Sequence, residues 1–245
     1  MPVVTAEAIG TLLGPSGGLL WHWRALVGWR RHRSVRQQVA QWLEQWQPPV
    51  RHLIAVGMSG GWLLPNRFLQ RFKHITIIDT DPSAKLVFTL LHGRRLRAAG
   101  VTVRWCRADF VTELPQQIAN DAAAVLFCNV LGQLPLERED AAPVLAALPA
   151  QLQRHHWASF HDRYSGNAVD LCKPPPEHLD TVSSLDSQAL QRLGCRGEWA
   201  DHGTGALLPL GVARRSFAWH LTAHRLHWLE AGTVRPMQPW AGAAP

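Results

Sequence analysis

The chain has 245 residues, of which 47% are hydrophobic, and its formal net charge is +7 at pH 7. That length and apolar content suffice for one large folded domain and argue against a disordered chain. Basic residues are scattered beyond the N-terminal region, so we interpret the charge first as a solvated surface and second as a site for a polyanion.

The four cysteines carry no metal-binding pattern. They form no CxxC pair and have no zinc-like spacing with histidine. No basic segment followed by an apolar core opens the chain, and no run approaches the roughly 18 apolar residues that span a bilayer. We therefore expect a reduced, cytoplasmic protein without a cleaved signal peptide, a stable membrane span or a metal site.

Residues 1–48 are predicted to form an arm followed by a helical cap rich in tryptophan and arginine. Apolar residues recur at helical spacing from about residue 19 to residue 46, with arginines between them, and two prolines then end the pattern. Such a segment can pack on the domain with its arginines in water, cover a substrate site, or lie on a membrane surface. Packing on the domain is the preferred interpretation.

From Pro49 onwards, strand patterns alternate with helix patterns. Apolar runs predict strands at 52–56, 75–78, 101–105, 123–127 and 157–160, and helical periodicity predicts helices at about 63–72, 82–99 and 136–154. This alternation is typical of a parallel sheet covered by helices on both faces. Near the C-terminus, two alternating runs predict an antiparallel hairpin that turns near residues 223–224.

The segment 51–82 predicts one nucleotide-binding unit: a strand, a glycine-rich turn, a helix, and a second strand that ends in aspartate. Small residues form the turn, namely Gly57, Ser59, Gly60 and Gly61. Glycine lets a backbone approach a ligand, and the next helix directs free N–H groups towards it. The two oxygens of Asp79 suit the vicinal diol of a ribose. Asp79 is alternatively a turn acid or helix cap, although Asp81 before a proline is the better cap candidate.

Five parallel strands, these motifs and a terminal hairpin together resemble the class I S-adenosylmethionine-dependent methyltransferases. The motifs cover residues 50–135, and beyond them only the order of elements is similar. Gly57 and Gly61 match the outer glycines of the family's GxGxG turn, and Ser59 replaces the central one. Ala55 stands where the family has an acid that holds the methionine amino group.

The resemblance implies an α/β fold and S-adenosylmethionine as the cofactor. The expected architecture is a Rossmann-like three-layer sandwich, with a mostly parallel seven-stranded sheet and a C-terminal antiparallel hairpin. Residues 49–245 would form this methyltransferase-like domain, behind the N-terminal arm and cap.

The resemblance also implies ligand contacts at the ends of the second, third and fourth strands. It places Asp79 on the ribose hydroxyls, Asp109 on the adenine amino group and Phe110 against the adenine ring. Asp109 and Phe110 are equally well explained as a surface turn followed by a core aromatic residue. Asn129 would face the reactive methyl group, which makes it a candidate for cofactor binding and, with Gln133, for orienting the acceptor.

A polar cluster follows the fifth predicted strand. Ligands of open α/β sheets bind at the carboxyl ends of strands. His161 or Asp162 is therefore a candidate general base, and Arg163 a candidate anchor for an anionic acceptor. Alternatively, Asp162 and Arg163 pair with each other and brace a loop. The hairpin histidines carry less weight. His220 and His224 have the spacing of metal ligands on a helix, but their segment is predicted to be extended, which moves them apart and argues against a metal site there.

The preferred function is methyl transfer from S-adenosylmethionine to an unidentified acceptor, with a small molecule favoured over RNA. RNA stays an alternative because the arginines at 30–36 suit phosphates and the neighbouring tryptophans suit bases, although no RNA-binding module flanks the core. A second alternative is a protein that has lost turnover and serves in binding or assembly, which Ala55 and Ser59 keep open. An NAD-dependent oxidoreductase is disfavoured, because Ser59 and Trp62 stand where its fingerprint requires glycine. The oligomeric state is not predicted.

Overall fold

The computed structural model describes residues 18–119, 122–176 and 178–236. The strands in these ranges form one nine-stranded sheet in the order β3-β2-β1-β4-β5-β9-β8-β6, with β7 paired to β5. The strands are β1 (His52–Val56), β2 (His74–Ile78), β3 (Thr102–Cys106), β4 (Ala123–Cys128), β5 (His156–Asn167), β6 (Leu179–Thr181), β7 (Trp199–Asp201), β8 (Arg214–His220) and β9 (Arg225–Val234).

The predicted α/β architecture is confirmed by this strand order. Strands β1 to β5 run parallel, β9 runs antiparallel to β5, and β8 pairs with β9 as the second strand of the hairpin. The hairpin turns between residues 220 and 225, as predicted. The short strands β6 and β7 raise the count from the expected seven to nine, since three-residue strands leave little periodicity in a sequence.

Nine α-helices lie in the described ranges. They are α1 (Gly18–Val27), α2 (Arg33–Gln45), α3 (Asn66–Leu69), α4 (Ala84–Phe88), α5 (Arg94–Ala98), α6 (Phe110–Ile118), α7 (Leu134–Glu137), α8 (Ala141–Gln151) and α9 (Ser187–Arg192). A π-helical turn at Thr89–Gly93 joins α4 to α5, so the predicted helix at 82–99 is present with one irregular turn. The helix predicted at 63–72 is reduced to α3, because Pro65 is extended and disfavours helix in the residue before it.

Helices cover both faces of the sheet. On one face, the apolar stripe of α2, which includes Val39, Trp42 and Leu43, packs in the same core as Leu53 and Ala55 of β1. On the other face, α6 and α8 pack against the alternate residues of β1 and β4. Helix α2 is therefore part of the main core, and most of the predicted N-terminal arm lies outside the described residues. None of the helices within the described ranges is long and apolar enough to cross a membrane.

Strand β5 is three times as long as predicted. Its 12 residues extend through the polar sequence at 161–165, where β9 continues to pair with it antiparallel. A register shift interrupts that pairing between Asp162 and Tyr164. The prediction of a polar loop after residue 160 is thus wrong. Ser165, Asp162 and the Nδ1 atom of His161 form hydrogen bonds within the sheet or with the loop at 201–205, which helps a strand without apolar alternation to form here.

Candidate active site

The glycine-rich turn after β1 has left-handed backbone angles at four positions. The φ angles are 64° at Gly57, 38° at Ser59, 68° at Gly60 and 74° at Gly61. A Cβ atom on Gly57 would lie 2.4 Å from the Cβ atom of Val130, so only glycine fits there. Gly57 and Ser59 line cavities, whereas Gly60 and Gly61 face inward, where a Cβ would meet side chains of α1, α4 and the π-helical turn.

Two adjoining cavities open at the carboxyl ends of the parallel strands, where ligands of open α/β sheets bind. The acidic cavity, lined by Asp79, Asp81 and Asp109 among others, has a volume of about 390 Å³. The aromatic cavity, lined by Trp21, Trp62, Phe160 and Trp219 among others, has a volume of about 280 Å³. Both cavities include Gly57, Ser59, Gln133 and Glu137, so one elongated ligand can pass along the glycine-rich turn from one to the other.

Asp79 lies at the end of β2 in the acidic cavity, where the sequence predicts a ribose contact. Its Oδ2 accepts a hydrogen bond from the Ser59 N–H at 2.7 Å, and its Oδ1 accepts one from the Asp81 N–H at 2.9 Å. Burial raises the pKa of Asp79 to about 6, although these two hydrogen bonds act in the opposite direction. Each carboxylate oxygen has a further lone pair, so Asp79 fastens the turn and can still accept from a diol.

Asp81 holds the turn and the first helix together. Its Oδ1 accepts from the backbone and the hydroxyl of Ser83, and its Oδ2 accepts from the Gly18 N–H at 2.9 Å. The Nε2 atom of His22 lies 3.1 Å from the same Oδ2. Burial alone would raise the pKa of Asp81, but the hydrogen bonds from His22, Ser83 and Gly18 outweigh it and lower the pKa. Asp81 is therefore ionised and serves as an anchor for α1.

Asp109 and Phe110 fit both of the roles that the sequence left open. Asp109 caps α6 by accepting from the Val111 N–H at 3.0 Å, and it also pairs with Arg138. Phe110 is buried against Phe127, with ring centroids 5.9 Å apart. Both residues nevertheless line the acidic cavity. The adenine contact therefore stays a prediction that the geometry permits.

Asn129, at the end of β4, lines the aromatic cavity and has one buried side-chain acceptor without a partner in the described part of the chain. Its φ angle of 59° is left-handed, which is uncommon for a residue other than glycine and costs about 1 kcal/mol. Its Nδ2 donates to Oδ2 of Asp162 at 3.1 Å, whereas its buried Oδ1 has no hydrogen-bond partner among the described residues. This amide oxygen is therefore available to accept a hydrogen bond from a ligand or a water molecule.

Asp162 and His227 form a hydrogen-bonded pair that lines the aromatic cavity. The Nδ1 atom of His227, on β9, lies 2.8 Å from Oδ1 of Asp162, on β5. Burial alone would raise the pKa of Asp162, but the contacts with His227, His202 and Asn129 outweigh it and lower the pKa. An ionised carboxylate fixes the histidine proton on Nδ1, so a neutral His227 keeps a lone pair on Nε2. That is the arrangement of a general base.

His202, from the loop after β7, completes a group of three potential ligands with Asp162 and His227. Their ligand atoms all lie within 4.8 Å of one another, close enough to surround a cation. Each nitrogen of His202 already has a partner, since Nδ1 lies 2.7 Å from the carbonyl oxygen of Gly132 and Nε2 lies 3.0 Å from the hydroxyl of Ser165. Asp162 and His227 are thus paired with each other, whereas His202 is paired with Gly132 and Ser165.

The structure does not bring His161 and Arg163 to either cavity, which corrects their prediction as general base and anion anchor. Side chains alternate along a strand, and Asp162 occupies the cavity side. His161 is fully buried on the opposite side, next to Ser159, and burial lowers its pKa to about 3. Arg163 pairs with Asp201 rather than with Asp162, and it also donates to Ser184 and Tyr164.

The sequence did not identify His227 as a site residue. His227 faces the cavity because the β5–β9 register sets it opposite Ser165, and that register links positions 62 residues apart. The alternation of Leu226 and Trp228, both buried, could have shown that His227 faces the other side of the hairpin. The polar loop at 201–205 is open to two interpretations from its sequence, a loop that reaches the pocket or an ordinary connection, and the structure places His202 in the cavity lining.

Comparisons with known proteins give structural similarity only. Neither a protein-family model nor a curated protein matches the chain. It is similar to the N-methyltransferase NodS from Bradyrhizobium japonicum WM9, at 13% identity and a TM-score of 0.45, over 83% of this chain and 96% of that one. It is also similar to magnesium protoporphyrin IX methyltransferase from Synechocystis PCC 6803, at 13% identity and a TM-score of 0.47, over 94% and 92%. Both TM-scores are below 0.5, so the fold assignment rests on the strand order and the function on the two cavities.

Proposed function

We propose that this chain is a methyltransferase that binds S-adenosylmethionine along the glycine-rich turn and methylates a small molecule in the aromatic cavity. The observation that carries the proposal is the Asp162–His227 pair. It stands in a cavity that shares Gly57 and Ser59 with the acidic cavity, so a proton acceptor and a nucleoside site adjoin each other.

The residues present fit the cofactor at both of its ends. In the acidic cavity, the free lone pairs of Asp79 suit a ribose diol, and Asp109 and Phe110 suit an adenine. At the aromatic cavity, the unpaired Oδ1 of Asn129 suits the cofactor's amino group, a role that Ala55 is unable to fill. When bound, S-adenosylmethionine supplies an electrophilic methyl group on sulfur.

The protein's own contribution is to orient the acceptor and remove its proton. His227 accepts the proton of a hydroxyl or N–H group at Nε2, and ionised Asp162 stabilises the resulting imidazolium through Nδ1. Asn129 holds Asp162 in place through Nδ2. The indole and phenyl rings that line the aromatic cavity exclude water and favour a flat, apolar acceptor.

The alternatives are less well supported by the geometry. A binding protein without turnover has no need for a carboxylate-oriented histidine in its cavity. An RNA acceptor would have to reach an aromatic cavity of about 280 Å³. A cation bound by Asp162, His202 and His227 is a second candidate for acceptor activation, because their ligand atoms cluster within 4.8 Å. Elemental analysis of the purified protein distinguishes that candidate, since the proposed pair functions without stoichiometric metal.

The test is a methyl-transfer screen with labelled S-adenosylmethionine against hydroxylated and amino-substituted aromatic compounds, with RNA in a separate arm. We expect label in an aromatic product, and a rate about 100-fold lower for His227→Ala. His224→Ala is the matched control, because His224 lies in the exposed turn of the same hairpin and should leave the rate unchanged. Equal rates for both variants would contradict the role of His227, and label in RNA alone would contradict the small-molecule acceptor.

A further inference from the structure

Helix α1 exposes its large apolar side chains and buries small and polar residues. Its buried positions hold Gly18, His22 and Ala25. Its exposed positions hold large apolar side chains, and the segment as a whole exposes Leu19 (55%), Leu20 (37%), Trp23 (63%), Leu26 (57%), Val27 (66%) and Trp29 (45%). A surface helix normally buries its apolar stripe. We call this exposed set the α1 apolar face.

The orientation follows from polar contacts on the inner side of α1. His22 Nδ1 accepts from the indole N–H of Trp62 at 2.8 Å, which leaves the ring proton on Nε2, 3.1 Å from Oδ2 of Asp81. The Gly18 N–H donates to the same Oδ2 at 2.9 Å. These contacts fix His22 towards the glycine-rich turn, and the apolar residues on the other side of the helix are consequently turned outward.

The surroundings of the α1 apolar face are cationic. From residue 18 to residue 43 the chain has five arginines and no acidic residue. Arg24, Arg30, Arg31 and Arg33 are exposed, and Arg36 stacks its guanidinium 3.3 Å above the ring of Trp29. A contiguous apolar patch on a soluble surface marks an interaction site. A partner that complements this face is therefore apolar where it meets the patch and negatively charged where it meets the arginines.

We infer that the α1 apolar face binds the surface of an anionic lipid bilayer. Tryptophan and leucine enter the boundary between headgroups and acyl chains, and arginines beside them contact anionic headgroups. Trp21 and Arg24 of the same helix also line the aromatic cavity, so a docked α1 sets that cavity beside the headgroups. This inference does not depend on methyl transfer, since it rests on the exposed side of α1 and not on the chemistry of the cavity.

Co-sedimentation of the full chain with vesicles tests the inference. One set of vesicles contains phosphatidylcholine alone, and the other also contains phosphatidylglycerol. We expect binding to the anionic vesicles that weakens as salt rises. Trp23→Glu and Leu26→Glu should each weaken it about tenfold, because a charge replaces a buried apolar contact. Leu210→Glu is the matched control, since Leu210 is 98% exposed and lies outside α1.

Three results would overturn the inference. The first is no sedimentation with the anionic vesicles. The second is an equal loss of binding in Leu210→Glu and Trp23→Glu, which would show that lipid contact is not specific to α1. The third is a dimer in light scattering that Trp23→Glu converts to a monomer, which would show that a second copy of the chain covers the face. An unchanged urea denaturation midpoint in Trp23→Glu would confirm that the variant is folded.

Discussion

The two cavities differ in how far apart in the sequence their proposed binding and catalytic groups lie. The glycine-rich turn and Asp79 of the acidic cavity come from a single βαβ unit, 57–81. In contrast, the key groups of the aromatic cavity, Asn129, Asp162 and His227, come from three strand regions spread over about 100 residues. Local motifs therefore describe where a nucleoside would bind. The chemistry depends on which strands become neighbours, and local motifs do not contain that information.

The largest expected effect lies in the aromatic cavity. Asp162→Asn removes the charge that fixes the His227 tautomer, so turnover should fall about 100-fold or more, with cofactor affinity nearly unchanged. Steady-state kinetics with the acceptor found in the screen, together with calorimetric titration of S-adenosylhomocysteine, measure the two quantities. Asp180→Asn, at the exposed edge of the sheet, serves as the control and should behave like the natural protein. Full turnover in Asp162→Asn would disprove the role of the pair.

The next effect is on folding, at the border between the cavities. In Gly57→Ala, alanine has to adopt a φ angle of 64°, and its Cβ atom would lie 2.4 Å from the Cβ atom of Val130. The free energy of unfolding should therefore fall by about 2–4 kcal/mol. Gly100→Ala separates the two causes, because Gly100 has a φ angle of 70° and nothing within 4 Å of the added Cβ. It should lose only about 1 kcal/mol. Urea denaturation measures both values, and equal losses would show that the Val130 contact is unimportant.

In the acidic cavity, Asp79→Ala should weaken binding of S-adenosylhomocysteine by about 1–3 kcal/mol, because the ribose loses a charge-assisted acceptor. The same change also removes the hydrogen bonds that Asp79 accepts from the turn. Asp79→Asn keeps the shape and one acceptor oxygen, and it should therefore fall between the natural protein and Asp79→Ala. Unchanged affinity in both variants would show that the ribose binds elsewhere.

Asp79 should also cause a pH dependence of stability. Its pKa is raised to about 6 in the folded protein, so the folded state binds the proton more tightly than the unfolded state between pH 4 and 6. The free energy of unfolding should therefore decrease as pH rises through this window, by about 2 kcal/mol. Asp79→Asn should lack this contribution. Urea denaturation of the natural protein and of Asp79→Asn at several pH values measures this contribution as the difference between their free energies of unfolding. If that difference does not change with pH, the raised pKa is contradicted.

The sequence predicted the fold well and the candidate site in part. Periodicity located the five parallel strands and the hairpin because each is a continuous local pattern. The sequence predicted Asp162 and Asn129 as candidate site residues. It also placed His161 and Arg163 at the site, because a loop would have allowed these side chains to converge. A strand separates neighbours onto opposite sides, and only the pairing of β5 with β9 reveals that this segment is a strand.

The most direct test of the central claim is calorimetric titration of the purified full chain with S-adenosylmethionine, S-adenosylhomocysteine and NAD. The two cavities predict that both sulfur ligands bind with one-to-one stoichiometry and that NAD does not compete with them. If neither sulfur ligand binds at millimolar concentration, the result contradicts the assignment of the acidic cavity and, with it, the proposed methyl transfer.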